Sequence, residues 1–139
     1  MKISVFNSLP SDAMLLRKTV FVQEQGFVDE EDEIDAMATH IVGYDDNNIP
    51  VATCRLFAQG EEGTFALGRF CVVKEMRGRG IGEQLMAAAE REITLQGGRL
   101  IVLHSQLHAQ PFYEKQGFIP EGEIEYEQGQ PHRYMTKTV

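Results

Sequence analysis

A chain of 139 residues with 42% apolar side chains can bury one real core and fits a single domain spanning residues 1–139. Its 21 Asp and Glu against 13 Lys and Arg give a formal net charge of −8, which excludes the broad cationic face that DNA or RNA binding needs. No apolar run approaches the roughly 18 residues of a membrane span, and the opening MKISVFNSLPSD lacks the long apolar core of a secretion signal, so a cytoplasmic protein that binds neither nucleic acid nor membrane is expected.

In chain order, Lys2–Phe6 reads as a strand. Pro10, Ser11 and Asp12 offer turn and capping chemistry before a helix over 13–25, whose Leu16, Val20 and Phe21 suit one apolar face. Residues 29–35, DEEDEID, put six carboxylates in seven positions and read as an acidic loop or short helix. Two roles stay open for it: a solvated face, the common fate of charge runs, and recruitment of a cationic amine. Thr39–Tyr44, Pro50–Ala58 and 64–73 are β-prone and separated by turn residues, which predicts an antiparallel meander.

Beyond it, Ile81, Leu85, Ala89 and Ile93 recur every four residues and predict a helix over 83–96, stopped by Gly97 and Gly98. A short strand over 100–103, a helix over 107–116 ended by Gly117, and extended chain from Phe118 with a turn at Gly129, Gln130 and Pro131 complete the order. A helix joining the strands at 64–73 and 100–103 makes those strands parallel. Cys54 and Cys71 stand apart without ligand spacing, so buried thiols are expected and neither a disulfide nor a metal site.

The chemistry concentrates in GRFCVVKEMRGRGIGEQLM, residues 68–86, where an apolar strand turns into a helix through Arg77, Gly78, Arg79, Gly80, Ile81 and Gly82. Glycines at this junction leave backbone N–H groups free to face an anion, and a helix N-terminus favours one. Two arginines add charge-assisted hydrogen bonds, so the turn suits a pyrophosphate. The P-loop spacing GxxxxGK[ST] is missing, and GxGxxG fails because the sixth position from Gly78 is Glu83. What remains is RxxGxG, from Arg77 through Gly80 to Gly82.

That turn resembles the R/QxxGxG/A motif of the GNAT superfamily of acyl-CoA-dependent acyltransferases. Residues 106–118, QLHAQPFYEKQGF, are similar to the family's N-x-x-A-x-x-x-Y-x-x-x-G-F. VFVQEQG near the start and GQPHRYM near the end look like the small bacterial ElaA/YjcF-like branch, so the resemblance covers nearly the whole chain. It implies a mixed α+β fold: a central, mostly antiparallel twisted sheet with one splayed parallel strand pair, and helices on both faces. It implies acetyl-CoA as co-substrate, its pyrophosphate on Arg77, Gly78, Arg79, Gly80, Ile81 and Gly82. Pantetheine would lie along the backbone of Phe70, Cys71 and Val72 by β-augmentation, with Gln106 and Phe112 also contacting the cofactor. A Val72 N–H would polarise the thioester carbonyl, and Tyr113 would be the general acid.

The family's strand glutamate has no counterpart here, and His104, at the open end of the second cleft strand, is the local candidate for the base because histidine titrates near neutral pH. Gln106 stands where the family has asparagine, one methylene longer. Cys71 offers an acyl-cysteine route or a packed thiol. The expected activity is N-acetylation of a primary amine on a small molecule or peptide, by a monomer or homodimer. A non-catalytic CoA-binding module and a nucleotide-binding regulator are the competing readings.

Overall fold

The computed structural model describes all 139 residues. Seven strands form one sheet: β1 (Lys2–Phe6), β2 (Thr39–Tyr44), β3 (Pro50–Ala58), β4 (Thr64–Val72), β5 (Leu100–Gln106), β6 (Ile119–Glu127) and β7 (Gln130–Thr138), in the spatial order β1-β2-β3-β4-β5-β7-β6. Every neighbour pair is antiparallel except β4 and β5, which the helix α3 (Ile81–Leu95) joins in parallel. The mixed α+β sheet with a splayed parallel pair is therefore the observed fold.

Side-chain alternation along the strands separates two cores. Ile41, Cys54, Leu56, Ile101, Leu103 and Met135 pack against Ile81, Leu85, Met86, Ala89 and Ile93 of α3 and Tyr113 of α4 (Gln110–Lys115). On the opposite face Val42 and Cys71 pack against Ala13, Leu16 and Val20, from α1 (Ser11–Arg17) and the π-helical turn Lys18–Glu24 that continues it. The expected helix over 13–25 is thus half α and half π. A fourth helix, α2 (Glu33–Met37), is capped at Asp32 by a full capping box with Asp35.

The parallel pairing is short, and this shortness makes the cleft. Only Thr64, Phe65 and Ala66 pair with Leu100, Ile101 and Val102, although β4 runs on to Val72 and β5 to Gln106. The cause lies on the other edge of β4. Arg55 pairs with Gly68 and Thr53 with Cys71, so Cys54 alone faces both Arg69 and Phe70 in a β-bulge. Arg69 takes φ 50° there, and the bent strand leaves β5.

Two expectations at the C-terminal half change. β5 extends through Gln106 because β7 pairs with its whole length, so His104 sits inside the strand, opposite Tyr134, and not at its end. The last turn is Gln128 and Gly129, at φ 50° and 77°, and Gln130 and Pro131 already belong to β7. Two consecutive positive φ values fit the tight turns that join antiparallel strands.

Candidate active-site cleft

Where β4 and β5 part, a cavity of about 690 Å³ passes between them and draws lining residues from both faces of the sheet. At one end α3 begins. Gly78 and Gly80 have φ 76° and 79°, a left-handed region open to glycine at no cost, and a Cβ on Gly78 would meet nothing within 4 Å. No side chain caps α3, so the amides of its first turn remain free. Gly82 is glycine for a different reason: its Cβ would stand 3.0 Å from Cε1 of Phe112. The structure thus brings Gly80, Ile81, Gly82 and Phe112 together, with Gly78 and Arg77 beside them in the same lining.

Arg79 does not line this cavity, whereas Arg77 is fully engaged. Its Nη1 and Nη2 donate to the two oxygens of Glu24 at 2.6 and 2.7 Å, and its Nε donates to the Val72 carbonyl at 2.9 Å. The hydrogen bonds from Arg77 hold Glu24 below the usual carboxylate range, and Glu24 raises Arg77 in turn. The Arg77 guanidinium that the sequence assigns to a pyrophosphate therefore has a carboxylate on it.

Along the slot, the ladder decides which backbone groups face the gap. Val73 N–H bonds the Val51 carbonyl, so by alternation Cys71 also bonds towards β3, while Phe70 and Val72 point their N–H and C=O into the gap. The amide of Cys71 is consequently spent on the sheet, and the Val72 carbonyl on Arg77. What Cys71 contributes is its side of the wall, and burial pushes its thiol up to about 12. Burial also raises the thiol of Cys54. Neither cysteine is a ready nucleophile.

Tyr113 sits midway, its ring packed against Phe70, Phe112 and Phe118 at centroid distances of 5.9, 5.2 and 5.8 Å. Burial raises its hydroxyl well above the ordinary tyrosine value, so it is a neutral phenol with a proton to give. That hydroxyl makes no hydrogen bond within the protein, and it is not a sealed polar atom either, since Tyr113 faces the cavity.

Two amide contacts strap the cleft. Gln106 Nε2 donates to Gln25 Oε1 at 2.8 Å, linking β5 to the end of the π-helical turn. Gln128 holds both backbone groups of Val28, at 2.8 and 3.0 Å, which ties the β6–β7 hairpin to the loop after the π-helical turn. Beyond the straps lie His104, Glu127 and His132. His104 is 46% exposed, packs on Tyr134 and has Nδ1 3.9 Å from Glu127. His132 is buried, with Nδ1 2.9 Å from the Gln130 carbonyl and Nε2 3.6 Å from Glu127. Sequence reading missed Glu127 altogether, because only the register of the hairpin brings it beside two histidines from other strands.

The acidic run divides in two: Glu30, Glu31 and Glu33 are a solvated face, whereas Asp29, Asp32 and Asp35 are taken up by arginines. Asp29 and Asp35 are 7% and 1% exposed, and Arg17 bonds both: Asp29 at 2.9 Å through Nε and Nη2, and Asp35 at 2.8 and 3.1 Å. Arg55 reaches Asp32 and Asp35 at 2.7 and 2.9 Å, and Arg69 reaches Asp29 at 3.1 Å. Burial alone would raise the Asp35 carboxyl, but hydrogen bonds from Arg17, the Asp32 amide and Arg55 hold it far below the usual range. Asp29 is lowered by the same contest between burial and Arg17. The three aspartates thus tie the run to arginines of α1, β3 and β4, beside the wall of the cleft that Asp29, Arg55 and Arg69 line.

A narrow slot with an anion cradle at one end and a neutral phenol midway suits an acyl group delivered on a long phosphorylated arm, and the protein is an acyltransferase. A family profile described as an acetyltransferase (GNAT) domain matches residues 19–139, and the chain belongs to that family. It is 37% identical over 129 residues to YjcF of Bacillus subtilis, named as an uncharacterized N-acetyltransferase, with 91% of this chain and 90% of YjcF covered. It is 32% identical over 129 residues to ElaA of Escherichia coli, covering 89% and 84% of the two chains. The crystal structure of Escherichia coli ElaA matches with a TM-score of 0.86 over 98% of both chains, and these likenesses place the protein in the small bacterial ElaA/YjcF-like branch. An aminoglycoside 6'-N-acetyltransferase complexed with coenzyme A shares the fold, with a TM-score of 0.79 at 20% identity over 99% of this chain and 97% of its own.

Proposed function

We propose that this acetyltransferase uses acetyl-CoA and transfers the acetyl group to a primary amine by direct attack in a ternary complex, within a single domain covering residues 1–139. The observation that carries the reading is that Tyr113, whose hydroxyl has no hydrogen-bond partner in the protein, lines the same cavity as the uncapped start of α3. The glycines fit the phosphorylated arm: Gly78 and Gly80 hold φ values that bare the amides, and Gly82 makes room for Phe112. The thioester supplies an activated acyl group. Phe70 and Val72 offer gap-facing amides for the pantetheine, and the Val72 N–H polarises the reacting carbonyl.

His104 takes the proton from the incoming ammonium, and the Glu127 carboxylate, 3.9 Å away, meets the charge that results. The amine nitrogen bonds the acyl carbon, the carbon–sulfur bond breaks, Tyr113 gives its proton to the departing sulfur, and the second proton of the acylated nitrogen passes to the resulting phenolate, which leaves a neutral amide and restores the phenol. Raised thiols at Cys71 and Cys54 favour this single displacement over an acyl-cysteine. The test is continuous detection of free CoA thiol with acetyl-CoA and a panel of primary amines. Amine-dependent thiol release is expected; tight CoA binding with no release across the panel would leave a non-catalytic CoA-binding module instead.

A further inference from the structure

We propose that the acceptor carries a carboxylate as well as its amine, and that Arg69 binds that carboxylate; this rests on the reading above that the cleft acylates an amine. Arg69 is an arginine held at φ 50° in the β4 bulge, where a glycine would sit without strain, and the adjacent residue is Gly68. The bulge that opens the cleft also carries Arg69, which lines the cavity with its side chain 37% exposed.

The tethering of Arg69 leaves its useful end free. Its Nε donates to Asp29 at 3.1 Å, one outer nitrogen lies 3.8 Å from Asp32, beyond hydrogen-bond reach, and neither outer nitrogen has a hydrogen-bond partner. Asp29 is already bonded twice by Arg17, so Arg69 serves it as an oriented third donor. A planar fork fixed at its Nε and open at its two outer nitrogens matches a carboxylate bidentately.

The amine end of the same molecule has its own counterpart. Phe27, Val28 and Asp29 are consecutive, and they touch His132, Gln128 and Arg69 respectively, so one short loop spans from the hairpin to the fork. Glu127, 52% exposed and hydrogen-bonded to no side chain, stands on the hairpin side beside His104. The acceptor end of the cavity thus has a cationic fork on one wall and a carboxylate on the other, with the Phe27 ring on the loop between them. An amino acid, with its ammonium towards Glu127 and its carboxylate on Arg69, is the class of acceptor this arrangement takes. A dianionic phosphate suits it less, because one arginine faces it while Asp29 and Asp32 stand next to that arginine.

The experiment titrates CoA-loaded protein, by calorimetry, with glycine, L-methionine, L-phenylalanine and L-lysine, each beside its carboxamide and its decarboxylated amine, and with O-phosphoethanolamine. For at least one member the free acid should bind ten-fold or more tightly than its two carboxylate-free partners, with the same order in KM when thiol release is followed. Arg69→Gln should abolish that preference and Arg69→Lys should keep part of it. Equal affinity within every set, no binding of any acid, or tighter binding of O-phosphoethanolamine overturns the proposal. The comparison of acid with amide in the unaltered protein decides the matter even if a variant fails to fold. Failure to bind CoA at all would instead overturn the acyltransfer reading beneath it.

Discussion

Arg77 and Glu24, 53 positions apart in the chain, form a bidentate ion pair that joins the turn before α3 to the π-helical turn over the opposite wall of the cleft. The side chains are 40% and 32% exposed, and pairs so placed contribute about 0–1 kcal/mol to stability. A phosphate that recruits the Arg77 fork must displace Glu24. Glu24→Gln is therefore expected to leave the unfolding midpoint nearly unchanged and to tighten CoA binding about fivefold, the factor that matches about 1 kcal/mol. Calorimetric titration of CoA checks it; weaker binding would mean that Glu24 positions Arg77 for the ligand and does not compete for it.

Gly80 is the hinge of the anion site. A side chain there must adopt φ 79°, which Asp and Asn tolerate better than other residues, and its Cβ would meet only the Glu83 Oε2 at 3.5 Å. Gly80→Asp should therefore fold while placing a second carboxylate at the start of α3, where the macrodipole otherwise attracts a phosphate. CoA affinity is expected to fall at least about a hundredfold, a loss of about 3 kcal/mol. Gly80→Asn, neutral and of the same shape, should retain most of it. Equal losses in the two variants would assign the effect to sterics and not to charge.

What the sequence made legible is the order of elements, because period-four spacing on α3 and the glycine turn before it are local signals. The parallel placement of β4 and β5 followed from a helix lying between them. Three things were not local. The acidic residues 29–35 announce charge but not that Arg17, Arg55 and Arg69, from three separate elements, converge on them. Arg69 sits in an apolar strand pattern, and nothing in that pattern marks a bulge at φ 50°. Glu127 becomes part of the site only through the register of the final hairpin, whose turn falls at Gln128 and Gly129. Helices, which are read from spacing, were found; of the polar cluster beyond the straps the sequence marked a histidine, His104, but not Glu127, which strand pairing alone brings to it.

Tyr113 offers a separation of structure from chemistry. Its ring is held by three aromatic neighbours, whereas its hydroxyl has no hydrogen-bond partner in the protein. Tyr113→Phe keeps the ring and deletes only the proton donor, so the melting temperature should hold. Removal of a positioned general acid costs about 10²- to 10⁴-fold in rate, and kcat is expected to drop within that range while the KM for acetyl-CoA stays near its original value. Steady-state kinetics of thiol release measure both. A variant as fast as the original protein would assign Tyr113 to packing alone.

Arg17 and Asp35 are each 1% exposed, and their ion pair gives stability a defined pH dependence. The Asp35 carboxyl is lowered in the folded state, as is that of Asp29. A lowered carboxyl stabilises the fold above its unfolded value of about 3.9, and that contribution is lost as pH falls through the folded value. Unfolding free energy should thus decline below about pH 4. Arg17→Met leaves two buried carboxylates short of their main partner, which is expected to cost about 3–5 kcal/mol at pH 7. Without Arg17, burial is opposed only by Arg55 and the Asp32 amide at Asp35 and by Arg69 at Asp29, so in the variant both carboxyls take up protons more readily. The stability gap between variant and original protein should therefore narrow as pH falls from 7 towards 4. Denaturant unfolding at both pH values tests this, and a gap that stays constant would show that the loss comes from the packing of the Arg17 side chain and not from its charge.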